Sequence, residues 1–209
     1  MKRGILPSIF LLGFVLSGCA PPVPRDITVF TVAPAQPAVQ ELSIPLLLAP
    51  VDAAPVYMGK DMLYRLRYGD NKLQSYSDNR WNMPPILMLA SVLRQAGGKN
   101  LLTLEQSNQT ARCALHIGLN AFEQVFIDEQ NSHIELDLQF SLIQLRNKRE
   151  LGGGKLHFDI PAQTPDARGG ALALEMASHQ AAAQIVERMN NLLVPLVSGA
   201  NPIRAACVR

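Results

Sequence analysis

Alternating apolar and polar positions run through the middle of the chain and predict β-strands. Residues 113–121 and 134–142 both place apolar side chains at every second position. Residues 62–68 alternate in the same way, and a turn at 69–71 followed by a short strand at 73–76 completes a predicted hairpin. A strand with one dry and one wet face is typical of an antiparallel sheet.

Two segments have the spacing of helices instead. The first begins at a Met-Pro-Pro sequence, residues 83–85, and Gly97 and Gly98 end it. Its predicted apolar face consists of Ile86, Leu89, Ala90 and Leu93. The second begins at Asp166, and Pro195 limits it. Its inner stripe consists of Ala171, Leu174, Ser178, Ala181, Ile185, Met189 and Leu192.

Two shorter patterns complete the expected order of elements. The apolar run 46–51 ends in a proline-containing segment and fits a buried strand, and the three glycines 152–154 predict a turn into a strand at 156–160. Strands, a helix, more strands and a final long helix predict one α+β domain. We expect a mostly antiparallel sheet, with a mixed sheet left open, and two helices packed on one of its faces.

The N-terminus has the pattern of a secretory signal. Lys2 and Arg3 precede a short apolar run that ends in Leu-Ser-Gly-Cys at residues 16–19. This ending resembles the bacterial lipobox, which predicts a signal peptide at residues 1–18 and lipid attachment, with acyl chains such as palmitate, on Cys19. An ordinary signal peptide is the alternative. Ala20, in place of Asp, favours the outer membrane under the sorting rule that such lipoproteins follow.

Proline content and the position of the first strands divide the rest of the chain. Prolines are frequent from residue 21 to residue 37, so residues 19–41 are predicted to be a lipidated tether, in which residues 27–30 could pair as an edge strand. The folded domain is expected at residues 42–194, and residues 195–209 form a C-terminal tail. The mature protein would be anchored to a membrane and would face the periplasm.

Charge and cysteine content limit the function classes. The formal net charge of the 209 residues is +2, and the signal segment holds two basic and no acidic residues, so the mature chain is formally neutral. That balance gives no support to nucleic-acid binding. With Cys19 lipidated, Cys113 and Cys207 remain, and an oxidising compartment favours a disulfide between them. A buried free Cys113 and a free thiol in the tail are the alternative.

Catalytic motifs are missing from the sequence. The four histidines lack the spacing of a zinc site, and His133 is expected to be solvated on the polar face of its strand. The glycines 152–154 followed by Lys155 do not form a phosphate loop, because Leu156 stands where Ser or Thr is required. We therefore expect no enzyme activity, no metal, and no cofactor other than the covalent lipid on Cys19.

One region has a more specific pattern. The alternating residues 62–68, Tyr76 and the sequence Arg-Trp-Asn-Met-Pro-Pro at 80–85, together with Ala-Pro-Val at 49–51 and the lipobox, resemble the ABC-type transport auxiliary lipoprotein family. The resemblance implies a non-catalytic accessory subunit of an ABC transport system for lipids or hydrophobic compounds. It implies as partners an MCE-type periplasmic protein, a permease and an ATPase, and it leaves a homo-oligomer open.

Three alternatives remain at this stage. Trp81, with Tyr64 and Arg80, could form a partner interface, or Trp81 could be a core residue that joins the hairpin to the first helix. The chain could instead be a tethered binding module for a cell-wall enzyme or a secretion assembly. It could also carry a lipid in an internal pocket lined by Leu115, Ile117, Leu136 and Phe140.

Overall fold

A computed structural model describes residues 26–33, 41–106, 111–194 and 201–208. Within these ranges the chain forms nine β-strands, three α-helices and two short 3-10 turns. The strands are β1 Thr28–Phe30, β2 Leu46–Leu48, β3 Asp52–Ala53, β4 Asp61–Leu66, β5 Leu73–Trp81, β6 Leu101–Leu102, β7 Cys113–Phe126, β8 Ser132–Gln144 and β9 Arg149–Pro161. The helices are α1 Pro85–Gly97, α2 Ala167–Leu193 and α3 Pro202–Val208.

The strands form one mixed sheet built around β7. Three short strands, β2, β3 and β4, lie in succession along one edge of β7, and all three run parallel to it. β6 lies beside β2, β5 beside β4, and β1 beside β5. The predicted α+β fold is confirmed, and the mixed sheet that the sequence left open is the one found.

The other edge of β7 carries an antiparallel meander. β8 pairs with β7 over almost its whole length, and β9 pairs with β8. A bulge between Leu119 and Ala121 shifts the register of β7. Because one extra residue exchanges the two faces of a strand, Phe122 follows Leu119 as the next member of the main core cluster, while Ala121, which is also buried, lies outside that cluster.

The three glycines 152–154 lie within β9 and not in a turn, which corrects the sequence prediction. The chain reverses earlier, where Lys148 has a φ of 58°. Glycine is required at these positions because β9 packs closely against α2 on one side and against a side chain of β8 on the other. A Cβ at Gly152 would lie 3.0 Å from Leu192 of α2, and a Cβ at Gly154 would lie 2.9 Å from the Phe140 ring.

The two long helices cover one face of the sheet. α2 packs against β8 and β9, and α1 packs against α2. The carboxylate of Asp166 caps α2 by accepting from the Gly169 N–H at 2.7 Å, and the inner stripe predicted for α2 is buried from Ala171 to Met189. In α1 the buried face includes Met88 and Val92, so it is rotated relative to the predicted one.

Two elements lie outside the domain predicted at 42–194. β1 lies in the segment predicted as a tether and pairs with β5 at the edge of the sheet. This is the edge strand that the sequence allowed at residues 27–30. α3 lies inside the predicted C-terminal tail. Asn201 joins α3 to the end of α2 by donating to the carbonyls of Leu192 and Val194 at 2.9 and 2.7 Å.

The core is a continuous apolar layer between the sheet and the helices. It includes the four residues that could have lined a lipid pocket, Leu115, Ile117, Leu136 and Phe140, and none of them is more than 2% exposed. These side chains are in contact with other core residues. Among the described residues these four side chains therefore form packed core, and the structure gives no support to an internal lipid pocket lined by them.

Candidate partner-binding surface

The hairpin of β4 and β5 carries the aromatic residues singled out in the sequence. The Tyr64 ring lies 4.7 Å from the Tyr76 ring and 5.9 Å from the Phe126 ring, centroid to centroid. Its hydroxyl donates to Gln74 Oε1 at 3.0 Å. Tyr64 is half-buried, so its role here is to join β4 to β5 and to the end of β7.

Trp81, at the end of β5, is a core residue. It is 2% exposed, and its ring meets that of Phe122 edge-on with centroids 5.5 Å apart. Its backbone N–H donates to Lys60 O at 2.8 Å. The sequence left open whether Trp81 belongs to a partner interface or to the core. The structure places it in the core, because so little of its surface is accessible to a partner.

Arg80 lies on the opposite side of the same strand and is exposed. Its guanidinium donates to Asp61 Oδ1 at 2.7 Å, and both side chains are about half exposed. The two residues belong to neighbouring strands, so the pair joins the beginning of β4 to the end of β5. An exposed ion pair adds little to stability, and both side chains remain accessible.

An apolar groove begins just past Arg80. One wall consists of Met83, which precedes α1, and of Leu87 and Ala90 on the outer face of α1. The other wall includes Pro50 and Leu104. The groove has a volume of about 550 Å³. We call it the α1 groove. Leu87 is 53% exposed and borders the groove together with the exposed Met83 and Leu104, so the apolar surface here is a contiguous patch and not one isolated side chain.

Sequence reasoning missed this groove. Leu87 lies outside the apolar stripe predicted for α1, and a leucine at an off-stripe position of an otherwise amphipathic helix was the signal that could have found it. The far wall was not visible in the sequence, because it comes from segments that precede β3 and follow β6.

The face of the sheet opposite the helices carries a buried carboxylate. Glu123 accepts from the Tyr57 hydroxyl at 3.0 Å and from Arg65 Nε at 2.8 Å. Burial and the Glu123 carboxylate together raise the pKa of Tyr57 far above its usual value. A carboxylate that accepts hydrogen bonds from two donors is satisfied and stabilises the local packing. Tyr57, Arg65 and Glu123 therefore have a structural role.

His133 differs from its predicted solvated position. It is 4% exposed, and neither ring nitrogen has a hydrogen-bond partner among the described residues. Its Nε2 lies 3.5 Å from Glu135 and 3.7 Å from Asp159.

Nearby, the Asp137 carboxylate raises the pKa of His157. Within the described part of the chain, no group of His, Cys, Asp and Glu could hold a metal ion.

Cys113 and Cys207 form a disulfide that connects β7 to α3. Both are buried. Cys19 and the signal segment lie outside the described residues. No helix in the described ranges combines the length and the apolar character that spanning a bilayer requires.

Comparison with known families gives a match over most of the chain. The model of a family described as the ABC-type transport auxiliary lipoprotein component matches residues 29–186. This range includes the hairpin, the α1 groove, the meander and most of α2. No curated protein matches the chain significantly.

Two crystal structures share the fold. One is protein XCC0632 from Xanthomonas campestris, assigned to family DUF330, with 22% identity, a TM-score of 0.63 and alignment over 77% of this chain and 92% of that one. The other is an uncharacterized protein with 14% identity, a TM-score of 0.58 and alignment over 78% and 99%. At these identities the likeness concerns the fold alone.

Proposed function

Because the chain belongs to the ABC-type transport auxiliary lipoprotein family, we propose that it is the non-catalytic accessory subunit of an ABC transport system with an MCE-type periplasmic protein. The system would move lipids or other hydrophobic compounds across the cell envelope. The permease and the ATPase would be separate chains. The observation that carries this proposal is the family match over residues 29–186, which includes nearly the whole folded region.

The anchor and the domain would have separate tasks in this proposal. Lipid on Cys19 would hold the protein on the periplasmic side of the outer membrane, as the lipobox and Ala20 favour. The domain would then act through contacts with the transport proteins. A solid core and a buried carboxylate, Glu123, that accepts from two donors support a role that depends on binding surfaces.

The α1 groove is the surface that we propose for the transport partner. The resemblance-bearing segment ends at its edge, and Arg80, Asn82 and Met83 are exposed residues of that segment. An apolar segment of the partner would fill the groove beside Leu87, and Arg94 and Glu105 would offer polar contacts at its border. This combination of apolar centre and polar rim is common to protein interfaces.

Cross-linking in cells followed by purification of the lipidated chain tests the function. We expect the MCE-type protein, the permease and the ATPase among the captured chains. The variant Leu87→Asp should lose these partners while keeping its stability, because Leu87 is exposed and a charge placed there disrupts only an apolar contact. Recovery of each partner relative to the wild type is the measurement.

Leu172→Asp is the matched control, since Leu172 of α2 is 47% exposed and lies on the other long helix. It should capture the same partners as the wild type. Capture of a cell-wall synthase or a secretion component in place of the transport chains contradicts the proposed function. Full capture by Leu87→Asp leaves the function intact and rejects only the α1 groove as its surface.

A further inference from the structure

A second cavity lies at the opposite end of the sheet, where β7 begins and β8 ends. Its volume is about 740 Å³, within the range of small-molecule sites. One side consists of Ala111 and Arg112 and of residues 144–146, and the other side is α3. We call it the α3 pocket. Nothing in the proposed transport role or in the family assignment requires it.

Two arginines provide the charge of the α3 pocket. Arg112 and Arg146 both line it, and the Gln144 side chain adds an amide. No acidic residue lines the pocket within the described ranges, and neither arginine makes an ion pair there. Two exposed arginines on the border of one cavity, neither with a carboxylate partner among the described residues, attract an anion, because a guanidinium offers several N–H donors in a planar fork.

The rest of the α3 pocket is apolar. Pro202, Ala205 and Ala206 present one face of α3 to it, and Ala111 and Leu145 face them. Small side chains on α3 keep the space open. A ligand that uses the whole cavity therefore has an anionic head and a short apolar part.

Several contacts hold the α3 wall in place. The Cys113–Cys207 disulfide fixes the end of α3 to β7. Gln144 Nε2 donates to Ala206 O at 3.3 Å, and Arg204 donates to Leu193 O at 3.1 Å. A wall fixed at both ends before binding lowers the entropic cost of binding.

We infer that the α3 pocket binds an anionic amphiphile, with its phosphate or carboxylate head on Arg112 and Arg146 and its apolar part against α3. The same head-group chemistry occurs in a lipid and in a free phosphate ion. The apolar wall favours the lipid-like ligand. This inference stands on the pocket alone, so it can fail while the proposed transport function holds.

The test uses the full mature lipidated chain in nanodiscs of neutral phosphatidylcholine. The probe is octyl phosphate with a photoactivatable diazirine in its alkyl chain, and mass spectrometry locates the adducts. We expect adducts on residues 111–112, 144–146 or 202–206. Arg112→Gln/Arg146→Gln should reduce this labelling by about tenfold or more, since it removes both charged donors. Both arginines are exposed, so the melting temperature should be unchanged.

Arg168→Gln is the matched control, because Arg168 is an exposed arginine at the beginning of α2 and does not line the α3 pocket; it should label like the wild type. Unlabelled octyl phosphate should compete, whereas octyl glucoside and inorganic phosphate at equal concentration should not. Arg112→Lys/Arg146→Lys should recover part of the labelling. Equal competition by inorganic phosphate overturns the amphiphile ligand, and equal competition by octyl glucoside overturns the anionic head. Undiminished labelling of the glutamine variant overturns the site.

Discussion

The indole of Trp81 meets the phenyl ring of Phe122 edge-on, with ring centroids 5.5 Å apart. Trp81 ends β5, and Phe122 is the first member of the main core cluster after the bulge of β7. The contact therefore joins the hairpin and the start of α1 to the central strand. The most specific motif in the sequence owes its tryptophan to packing, and its surface residues are Arg80, Asn82 and Met83.

Replacing Trp81 with alanine should lower the free energy of unfolding by about 3–5 kcal/mol, because a large buried ring is removed and a cavity is left. Denaturant unfolding measures the change. Tyr68→Ala, at a tyrosine that is 52% exposed, is the control and should change little. A normal melt together with lost partner binding would return Trp81 to the interface role.

The Cys113–Cys207 disulfide closes a loop with a sequence separation of 94 residues. Removing it by Cys113→Ser/Cys207→Ser should lower the free energy of unfolding by about 2–4 kcal/mol, since the unfolded chain regains conformational freedom. Denaturant midpoints with and without reductant measure this. Reductant should destabilise the wild type and leave the double variant unchanged; an effect on both would contradict the prediction.

Gly170 of α2 should not tolerate a side chain. A Cβ there would lie 2.1 Å from Gln124 Oε1, which accepts from the Tyr76 hydroxyl at 2.9 Å. Gly170→Ala should displace the Gln124 amide and lower the free energy of unfolding by about 1–3 kcal/mol. The control is Gly118→Ala, where the nearest atoms to the added Cβ lie at 4.0 Å. Equal thermal stability of the two variants would contradict this reasoning.

The hydrogen bond that His157 Nδ1 donates to the Asp137 carboxylate raises the pKa of His157 above its usual value. The pKa of His157 is about 6.5 in the unfolded chain and higher in the folded protein. Below the unfolded pKa the His157–Asp137 pair therefore stabilises the fold in full, and this contribution is lost as the pH rises through the folded pKa. Asp137→Asn should lower the pKa of His157, measured by NMR titration. Asp70→Asn, in the distant β4–β5 turn, should not. The effect on stability is small because both side chains are substantially exposed.

Lipid attachment to Cys19 can be tested by Cys19→Ser. The variant should remain an uncleaved precursor or leave the membrane fraction, because the acylated cysteine would be missing. Mass spectrometry of the N-terminus and membrane fractionation are the measurements. Normal cleavage after residue 18 with unchanged membrane partition would contradict the lipobox.

Periodicity predicted which side chains of each element face the core. The inner stripe of α2 from Ala171 to Met189, its cap at Asp166 and the dry face of β8 followed from local spacing. These features depend on residues close together in the chain, so a single sequence contains them.

The tertiary structure decided which elements meet, and this determined the candidate sites. Parallel pairing of β2, β3 and β4 with β7 depends on segments far apart in the chain. The burial of His133, the glycines within β9 and the two walls of the α3 pocket arise in the same way. Periodicity indicates whether a face of an element is apolar or polar, but it does not identify the element that packs against that face. These features therefore arise only when distant elements pack together.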